Sequence, residues 1–340
     1  MIKNRRDMIE RVKLSDVLPL RTPFTIYVDP SSACNFKCDF CYHSIDSRSL
    51  EAINFKKTIM KMELYEQIVD SIAKFPDKLK MLSLFIKGEP LLNSRLPDML
   101  AMAKKKNIAE KLYITTNGSL FSPKLNRKLV NAGLNEILVS IEAMDSIEYK
   151  KITGMDIDFD EIVDNIKDFY ENKGECKFYI KIVTYTQNED KVRKFHEIFD
   201  SLCDFAYIEQ VVPVFDLVNY ENMLLDRTNL NKFNRPIHVC TRPFFNMCVH
   251  SNGDIGACLV DYVPEILFGN VTTDSLYDVW NGKQFNDFRL MHLKKQRYGH
   301  FKCGHCVSPD YDSQESDLLD DASVRLTEVF SNQNKGNYRE

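Results

Sequence analysis

The sequence has no long apolar run and no excess of positive charge. None of its hydrophobic stretches approaches the roughly 18 residues that span a bilayer, and the N-terminal segment MIKNRRDMIERVKL is charged throughout, unlike a signal peptide. Lysine and arginine number 45 against 49 aspartate and glutamate, so the net charge of -4 creates no basic field for a nucleic-acid backbone. We therefore expect a cytoplasmic protein with neither a membrane nor a nucleic acid as partner, acting on a small or neutral substrate.

Disulfides are not expected, because thiols stay reduced in the cytosol. The chain nevertheless has 10 cysteines in 340 residues. Seven of them fall into two groups by their spacing. Such grouping indicates metal or redox chemistry.

The first group is Cys34, Cys38 and Cys41, spaced C-x3-C-x2-C directly after the apolar run FTIYV at 24–28. Three thiolates on one short loop can hold a [4Fe-4S] cube and leave its fourth iron without a protein ligand. The alternative is a zinc knuckle. Zinc prefers four closed ligands, and no fourth Cys or His stands at knuckle spacing here.

The stretch CNFKCDFC, with Phe40 before the last cysteine, resembles the cluster loop of the radical S-adenosylmethionine (SAM) enzymes. The resemblance implies that the open iron binds the amino and carboxylate groups of SAM. It also implies that one electron, from a flavodoxin- or ferredoxin-type donor, cleaves SAM to a 5′-deoxyadenosyl radical. Phe40 would then belong to the SAM site.

Short apolar runs alternate with helical patterns between residues 20 and 215, which predicts an α/β fold. One helical pattern is LYEQIVDSIAKF at 64–75. Six units, each an apolar strand followed by a helical pattern, predict a partial (β/α)6 barrel resembling part of a TIM barrel. In such barrels, ligands gather at the carboxyl ends of the strands. The strands are predicted at 24–28, 80–86, 111–115, 136–141, 177–183 and 206–212.

The segment GEPLL follows the second predicted strand. In radical SAM enzymes a similar GEP segment binds the methionine amino group, which points to Gly88 and Glu89. Glycine permits a close backbone approach and the carboxylate is an acceptor. The family more often has a second glycine before this segment, whereas this chain has Lys87, which places a cationic side chain near the pocket.

Further residues at predicted strand ends resemble the family's SAM contacts. The third strand ends in TTNG and the fourth reads VSIEA, which points to Asn117, Ser140 and Glu142 as ribose and carboxylate contacts. Val212, near the end of the sixth strand, would contact adenine. Taken singly, such residues are more often turn formers or polar side chains on a strand face.

The second group is Cys240, Cys258, Cys303 and Cys306, spaced C-x17-C-x44-C-x2-C. Four thiolates can close around a [4Fe-4S] cluster or a zinc ion, and the spacing does not choose between them. The surrounding sequence resembles the SPASM or shortened twitch extension of radical SAM enzymes, which implies one auxiliary [4Fe-4S] cluster. The piece SNGDIGAC predicts a β-hairpin with Asn252-Gly253 as its turn.

These features divide the chain into a barrel and a small α+β SPASM/twitch domain. We expect the acidic tail to form one short helix at 320–331. The predicted parts are an N-terminal extension (1–19), the radical SAM core (20–215), a linker (216–237), the SPASM/twitch domain (238–310) and the tail (311–340).

Three cysteines remain outside both groups. Cys176 and Cys203 lie beside the fifth and sixth predicted strands and are interpreted as small apolar fillers. Cys248 lies on the predicted hairpin. Some radical SAM epimerases return hydrogen from a cysteine thiol, so Cys248 is a candidate hydrogen donor, with a buried structural cysteine as the alternative.

The resemblance implies hydrogen abstraction from an unactivated C–H bond. If the auxiliary cluster takes an electron, an alcohol becomes a ketone; if a thiol returns hydrogen, the result is epimerisation. A one-cluster extension resembles that of enzymes acting on sugars and aminocyclitols, which favours a carbohydrate-like alcohol.

Two other functions stay open. One is peptide modification, against which we weigh the short segment of about twenty residues before the first strand. The other is a non-catalytic iron–sulfur or zinc protein, which would not need SAM-like residues at four strand ends.

Overall fold

One mixed sheet organises the part of the chain that the computed structural model describes, residues 11–53, 55–184, 189–215, 217–221, 223 and 236–336. Its strand order is β6-β5-β4-β3-β2-β1-β7-β8-β9. The strands are β1 Thr25–Val28, β2 Met81–Ser83, β3 Leu112–Thr116, β4 Glu136–Ile141, β5 Lys177–Thr184, β6 Phe205–Gln210, β7 Asn246–Val249, β8 Asp254–Gly256 and β9 Leu267–Asn270.

Helices follow most of the first six strands, and several begin at side-chain caps. Asp158 accepts hydrogen bonds from the amides of Asp160 and Glu161 at the start of α7, which satisfies amides that have no partner within the helix. The helices are α1 Leu14–Val17, α2 Ser47–Ala52, α3 Met62–Ile72, α4 Leu96–Lys106, α5 Pro123–Asn131, α6 Ser146–Thr153, α7 Phe159–Asn172, α8 Glu189–Phe199, α9 Leu276–Asn281, α10 Lys283–Leu293, α11 Ser308–Asp312 and α12 Ser323–Gly336.

Strands β1 to β6 are all parallel, so the predicted six-unit partial barrel is confirmed. Side chains alternate between the two faces of each strand. Ile26, Leu82 and Ile114 are fully buried in the core shared with the helices. The opposite face carries Tyr113 and Tyr207, which pack in a separate cluster inside the barrel.

The sixth strand is shorter than predicted. It ends at Gln210, and Val212 lies beyond it, half-buried. The amide of Val214 donates to the carbonyl of Val212 at 2.8 Å, which forms a tight turn around Pro213. Proline has no amide hydrogen to continue a ladder, so the strand stops before it.

The predicted hairpin is present as the antiparallel pair β7 and β8. Gly253 in its turn has φ +91, a value that glycine adopts without strain. Strand β7 also pairs in parallel with β1, with Tyr27 opposite Cys248. This pairing, which no sequence pattern predicts, joins the C-terminal hairpin directly to the barrel sheet.

The tail helix is also present, as α12, and extends a few residues beyond the predicted range. Its Leu326 and Phe330 are buried with Leu14 of α1 and Leu293 of α10. The two ends of the described chain therefore share one small core. In the part of the chain that the structure describes, no helix combines the length and apolar character needed to cross a membrane.

Candidate functional site

The three cysteines of the first group lie on the loop that follows β1. The amide of Cys41 donates to the carbonyl of Cys38 at 2.9 Å, and the amide of Phe36 donates to Sγ of Cys34 at 3.4 Å. Burial raises the pKa of Cys34 to about 11 and that of Cys41 to about 12, and it also raises the pKa of Cys38. The charges of neighbouring cysteines add to the rise at Cys38 and Cys41. Thiols in this setting ionise only when a cation binds them.

The spacing of the cysteines also bears on the metal. A single zinc ion holds its thiolates roughly 4 Å apart, as follows from Zn–S bonds of about 2.3 Å in a tetrahedron. Among the described residues, no three Cys, His, Asp or Glu side chains gather as ligands of one ion. A cube that offers each thiolate its own iron accommodates wider spacing, so the loop is compatible with a [4Fe-4S] cluster.

Gly88 ties the segment after β2 to the cluster loop. A Cβ atom at this position would lie 2.1 Å from the carbonyl oxygen of Ala33 and 2.4 Å from that of Ser31. The amide of Glu89 donates to the same Ala33 carbonyl at 2.9 Å. Only glycine permits this backbone-to-backbone packing, which holds the residues just before Cys34.

Glu89 is 2% exposed and its carboxylate already has three partners within the protein. Oε1 accepts from the amide of Leu91 at 2.9 Å and from Oγ1 of Thr116 at 2.7 Å, and Oε2 accepts from the amide of Asn117 at 2.8 Å. Burial raises the pKa of Glu89 to about 7, against the effect of these donors. Glu89 thus links the ends of β2 and β3; its contact with the SAM amino group stays a prediction.

Asn117 lies next to the cluster loop. Its Nδ2 donates to Oδ1 of Asn35 at 2.9 Å and lies 4.0 Å from Sγ of Cys34, while its Oδ1 accepts from the amide and hydroxyl of Ser119. Asn35, inside the cysteine motif, was not singled out from the sequence. Together the two asparagines connect the carboxyl end of β3 to the first cysteine.

Glu142 follows β4 and is the SAM candidate with the most unsatisfied bonding capacity. It is 5% exposed, and its Oε2 has no hydrogen-bond partner among the described residues. Its charge raises the pKa of all three loop cysteines, which shows that it lies near them. A buried carboxylate oxygen without a donor suits a hydroxyl or amino group of a bound ligand, so the residues present fit SAM.

The other SAM candidates are placed less decisively. Ser140 is half-buried and lies opposite Lys181 in the β4–β5 register. Phe40 packs at the border of the main core. Val212 lies outside β6, as described above, and its adenine contact stays a prediction.

The C-terminal cysteines influence one another's ionisation. Burial is the first cause that raises the pKa of Cys303, and charges on Cys240, Cys258 and Cys306 follow it. The four thiols therefore lie within one electrostatic neighbourhood. Such a set closes around an iron–sulfur cluster without leaving an open position.

Arg297 holds the loop that carries two of these cysteines, and sequence reasoning missed it. It is 3% exposed, and its guanidinium donates to the carbonyls of Cys303 at 3.1 Å, Cys306 at 3.0 Å and Ile237 at 3.1 Å. Burial raises the pKa of Cys240 to about 11, and the charges of Arg242 and Arg297 oppose that rise. A lone arginine in a charged stretch carries no sequence signal for this role.

The remaining cysteines are all buried. Cys176 and Cys203 belong to the main core, in agreement with their interpretation as fillers. Cys248 is 0% exposed and lies opposite Tyr27 in register, on the strand face that also carries Tyr27. Burial raises its pKa well above the ordinary range. Its role as a hydrogen donor stays a prediction.

Glu142→Gln should stabilise the metal-free protein in a pH-dependent way. Burial raises the pKa of Glu142 from 4.5 to about 7, so its contribution to stability is present below pH 4.5 and is lost as pH rises through about 7. We expect the gain in unfolding free energy to be about 2 kcal/mol larger at pH 8.5 than at pH 5.5. Urea unfolding at both pH values measures it.

The matched control is Glu148→Gln. Glu148 forms an ion pair with Lys191 at 2.9 Å. Removing the charge of Glu148 should therefore lower the unfolding free energy at both pH values. A pH-independent effect of Glu142→Gln would contradict the raised pKa.

Two family models match the chain. The model of the Radical SAM superfamily matches residues 28–199, and that of the SPASM iron–sulfur cluster-binding domain matches residues 240–307. The chain is 34% identical over 131 residues to the probable GTP 3′,8-cyclase of Methanococcus maripaludis, which covers 38% of this chain and 39% of that protein. The chain thus spans about two fifths of that relative's length.

Solved structures share the fold. BtrN in complex with AdoMet and 2-DOIA matches with a TM-score of 0.55 and 19% identity, over 87% of this chain and 98% of that one. Streptococcus suis SuiB bound to the precursor peptide SuiA matches with a TM-score of 0.62 and 18% identity, over 92% of this chain and 78% of that one. At such identities the likeness establishes the architecture alone.

Proposed function

The chain belongs to the radical SAM superfamily and carries a SPASM iron–sulfur domain, and we propose that it dehydrogenates an alcohol of a small sugar-like substrate. Its cofactors are a [4Fe-4S] cluster, SAM and auxiliary iron–sulfur. We assign the first cluster to Cys34, Cys38 and Cys41, and one auxiliary [4Fe-4S] cluster to Cys240, Cys258, Cys303 and Cys306. A flavodoxin- or ferredoxin-type protein would deliver the electron.

The main support for the proposal is that one sheet connects the two groups of cysteines. Strand β1 leads into the cluster loop, and β7, paired with β1, leads through β8 to Cys258. The first set therefore follows β1 and Cys258 follows β8, two strands away in the same sheet. An auxiliary cluster held on the sheet that also carries the cluster loop would be an acceptor for an electron from a substrate bound within the barrel.

When bound, the cluster and SAM would supply a 5′-deoxyadenosyl radical, which takes a hydrogen atom from a carbinol C–H bond. The auxiliary cluster, held by Cys240, Cys258, Cys303 and Cys306, would supply an acceptor for the one electron that the substrate gives up, with its hydroxyl proton, on becoming a ketone. The electron that cleaves SAM is thus balanced by the electron released on oxidation. The protein's own task is to orient that C–H bond and exclude water.

The inner wall of the barrel suits a substrate with several hydroxyl groups. Lys181 forms an ion pair with Glu209, and Tyr113 shares a hydrogen bond of 2.8 Å with Thr115. These side chains place donors and acceptors on the inner faces of β3, β5 and β6. The likeness to BtrN over nearly that protein's whole length supports a small molecule.

Peptide modification is the second candidate. The likeness to SuiB, whose structure contains a precursor peptide, favours it. An enzyme of that kind would cleave SAM in the presence of a peptide and ignore sugars. The two candidates therefore separate by which substrate stimulates SAM cleavage.

The test is anaerobic turnover of the reconstituted protein with dithionite, SAM and a panel of sugars and aminocyclitols. We expect 5′-deoxyadenosine and a ketone to form in equal amounts with at least one member of the panel. Stimulation by peptides alone would replace the proposal with the second candidate. Formation of 5′-deoxyadenosine with a stereochemically inverted alcohol and no ketone would indicate epimerisation.

Cys248→Ala distinguishes the two fates of the substrate. For a dehydrogenase, we expect the variant to form ketone within about threefold of the parent rate, because the thiol transfers nothing. For an epimerase, inversion would fall by more than a hundredfold and no deuterium from solvent would enter the product. Mass spectrometry of products formed in deuterium oxide measures both, with Cys203→Ala as the buried-cysteine control.

A further inference from the structure

Lys87 is a buried cation without a partner. The residue is 9% exposed, and among the described residues its ammonium group forms neither a hydrogen bond nor an ion pair within 4 Å. Burial lowers its pKa, while the charges of Asp29 and Asp261 oppose that effect. An unpaired ammonium group in the interior costs free energy, so a structural role explains it poorly.

Asp29 is the first unsatisfied group beside it. This residue follows β1 and is 1% exposed. Its Oδ1 accepts from the amide of Lys87 at 3.4 Å, whereas its Oδ2 has no hydrogen-bond partner. One carboxylate oxygen at the carboxyl end of β1 is therefore free to accept.

Asp261 is the second unsatisfied group, and it lies in the C-terminal part of the chain. It lies three residues after Cys258 and is 7% exposed. Its Oδ2 accepts from the amides of Glu265 and Ile266, both at 2.9 Å, but its Oδ1 has no partner. Two backbone amides thus fix the orientation of the carboxylate, and its Oδ1 remains without a donor.

Asp29 contacts Lys87 through the backbone amide, and Asp261, from the C-terminal part of the chain, lies close enough for its charge to act on Lys87. The carboxylates influence Lys87 electrostatically without pairing to it, and Cys248 and His250 border the same group. Buried polar atoms in native proteins nearly always have partners, so two carboxylate oxygens without donors, together with an ammonium group without a partner, point to a missing ligand. The net charge of one cation and two carboxylates disfavours an anionic ligand.

We propose that Lys87, Asp29 and Asp261 bind the polar groups of the substrate and select an amino sugar or aminocyclitol over a phosphorylated sugar. The carboxylates accept hydrogen bonds from hydroxyl or ammonium groups, and Lys87 donates to a hydroxyl oxygen. This assignment rests on the proposed function, because it names the substrate class of that same site. It places the substrate between the barrel and the auxiliary cysteines.

The first test is ligand binding without turnover. Reconstituted protein with SAM, but without reductant, is titrated with D-glucosamine, myo-inositol and D-glucose 6-phosphate in a calorimeter. We expect glucosamine or inositol to bind and the phosphate to bind least. Lys87→Met and Asp261→Asn should each weaken the binding about 10- to 100-fold, the loss typical of a hydrogen bond to a charged group.

The second test measures thermal stability in the absence of substrate. Because Lys87 is unpaired, Lys87→Met should raise the Tm of the reconstituted protein. The control is Lys191→Met, a lysine exposed to the same small degree, at 8%, that pairs with Glu148 at 2.9 Å and donates to the Glu142 carbonyl at 3.1 Å. Loss of that pair should lower the Tm.

A fall in Tm for Lys87→Met equal to that for Lys191→Met would show a structural lysine and overturn the inference. Unchanged probe affinity in Lys87→Met and Asp261→Asn would do the same, as would binding of the phosphate alone or of no probe. Binding is measured without reductant, so it can succeed when ketone formation fails. The latter result would reject the proposed dehydrogenation and keep the binding site.

Discussion

The triple variant Cys34→Ala/Cys38→Ala/Cys41→Ala should form no 5′-deoxyadenosine and should lose about half of the iron. The parent protein should hold about eight irons after anaerobic reconstitution, and the variant about four, because each cube contains four. The loop supplies three thiolates and can leave an iron open to SAM, whereas the C-terminal set supplies four. Iron and sulfide analysis and chromatography of the nucleoside products measure the outcome.

Cys176→Ala/Cys203→Ala is the matched control. Both thiols are buried in the main core and neither belongs to a ligand group, so iron content and SAM cleavage should stay at the parent values. If the triple variant still cleaves SAM, the assigned cluster loop is wrong. Four irons with one zinc in the parent would make the C-terminal site structural and remove the electron acceptor from the proposed reaction.

Gly88→Ala should disable the same site without touching a ligand. The new methyl group would lie 2.1 Å from the carbonyl oxygen of Ala33, a backbone atom that can move only with the cluster loop. We expect SAM cleavage to fall at least a hundredfold and the first cluster to be incorporated poorly, as is common when a small displacement misplaces a reacting group. Iron content and single-turnover SAM cleavage measure the two effects separately.

Gly299→Ala provides the comparison. No heavy atom lies within 4 Å of a Cβ built at Gly299, and its φ is not positive. That variant should match the parent in iron content and in rate. If Gly88→Ala incorporates iron and cleaves SAM like the parent, the cluster loop adjusts to the added methyl group. The close packing at Gly88 is then not required for function.

Much of the barrel was predictable, because each of its strands and helices has a recognisable pattern in its own short segment of sequence. The runs at 136–141 and 177–183 became β4 and β5 almost residue for residue, since β-branched and aromatic residues flanked by turns specify a strand on their own. The helix predicted at 64–75 is α3, shifted by two or three residues at its ends. Strand ends were less accurate, as Val212 shows, because tertiary pairing and the turn at Pro213 decide them.

The contacts of the site depend on residues distant in sequence, and these were not predictable. The sequence predicts that Glu89 contacts SAM, which stays a prediction, but one sequence cannot reveal that the oxygens of Glu89 also bind Thr116 and Asn117. Lys87 was noticed only as a departure from the family's second glycine. Its burial beside Asp29, within reach of the charge of Asp261, depends on segments that are distant in the chain.

The parallel pairing of β1 with β7 also protects the barrel from association. Without the C-terminal segment, β1 would be an outer strand with unpaired backbone groups along Thr25–Val28, beside the fully buried Ile26 and Val28. Exposed apolar edge strands recruit other chains. The C-terminal iron–sulfur domain therefore covers the β1 edge of the barrel sheet. A barrel produced without that domain should aggregate through this exposed edge, independently of the cysteines that it has lost.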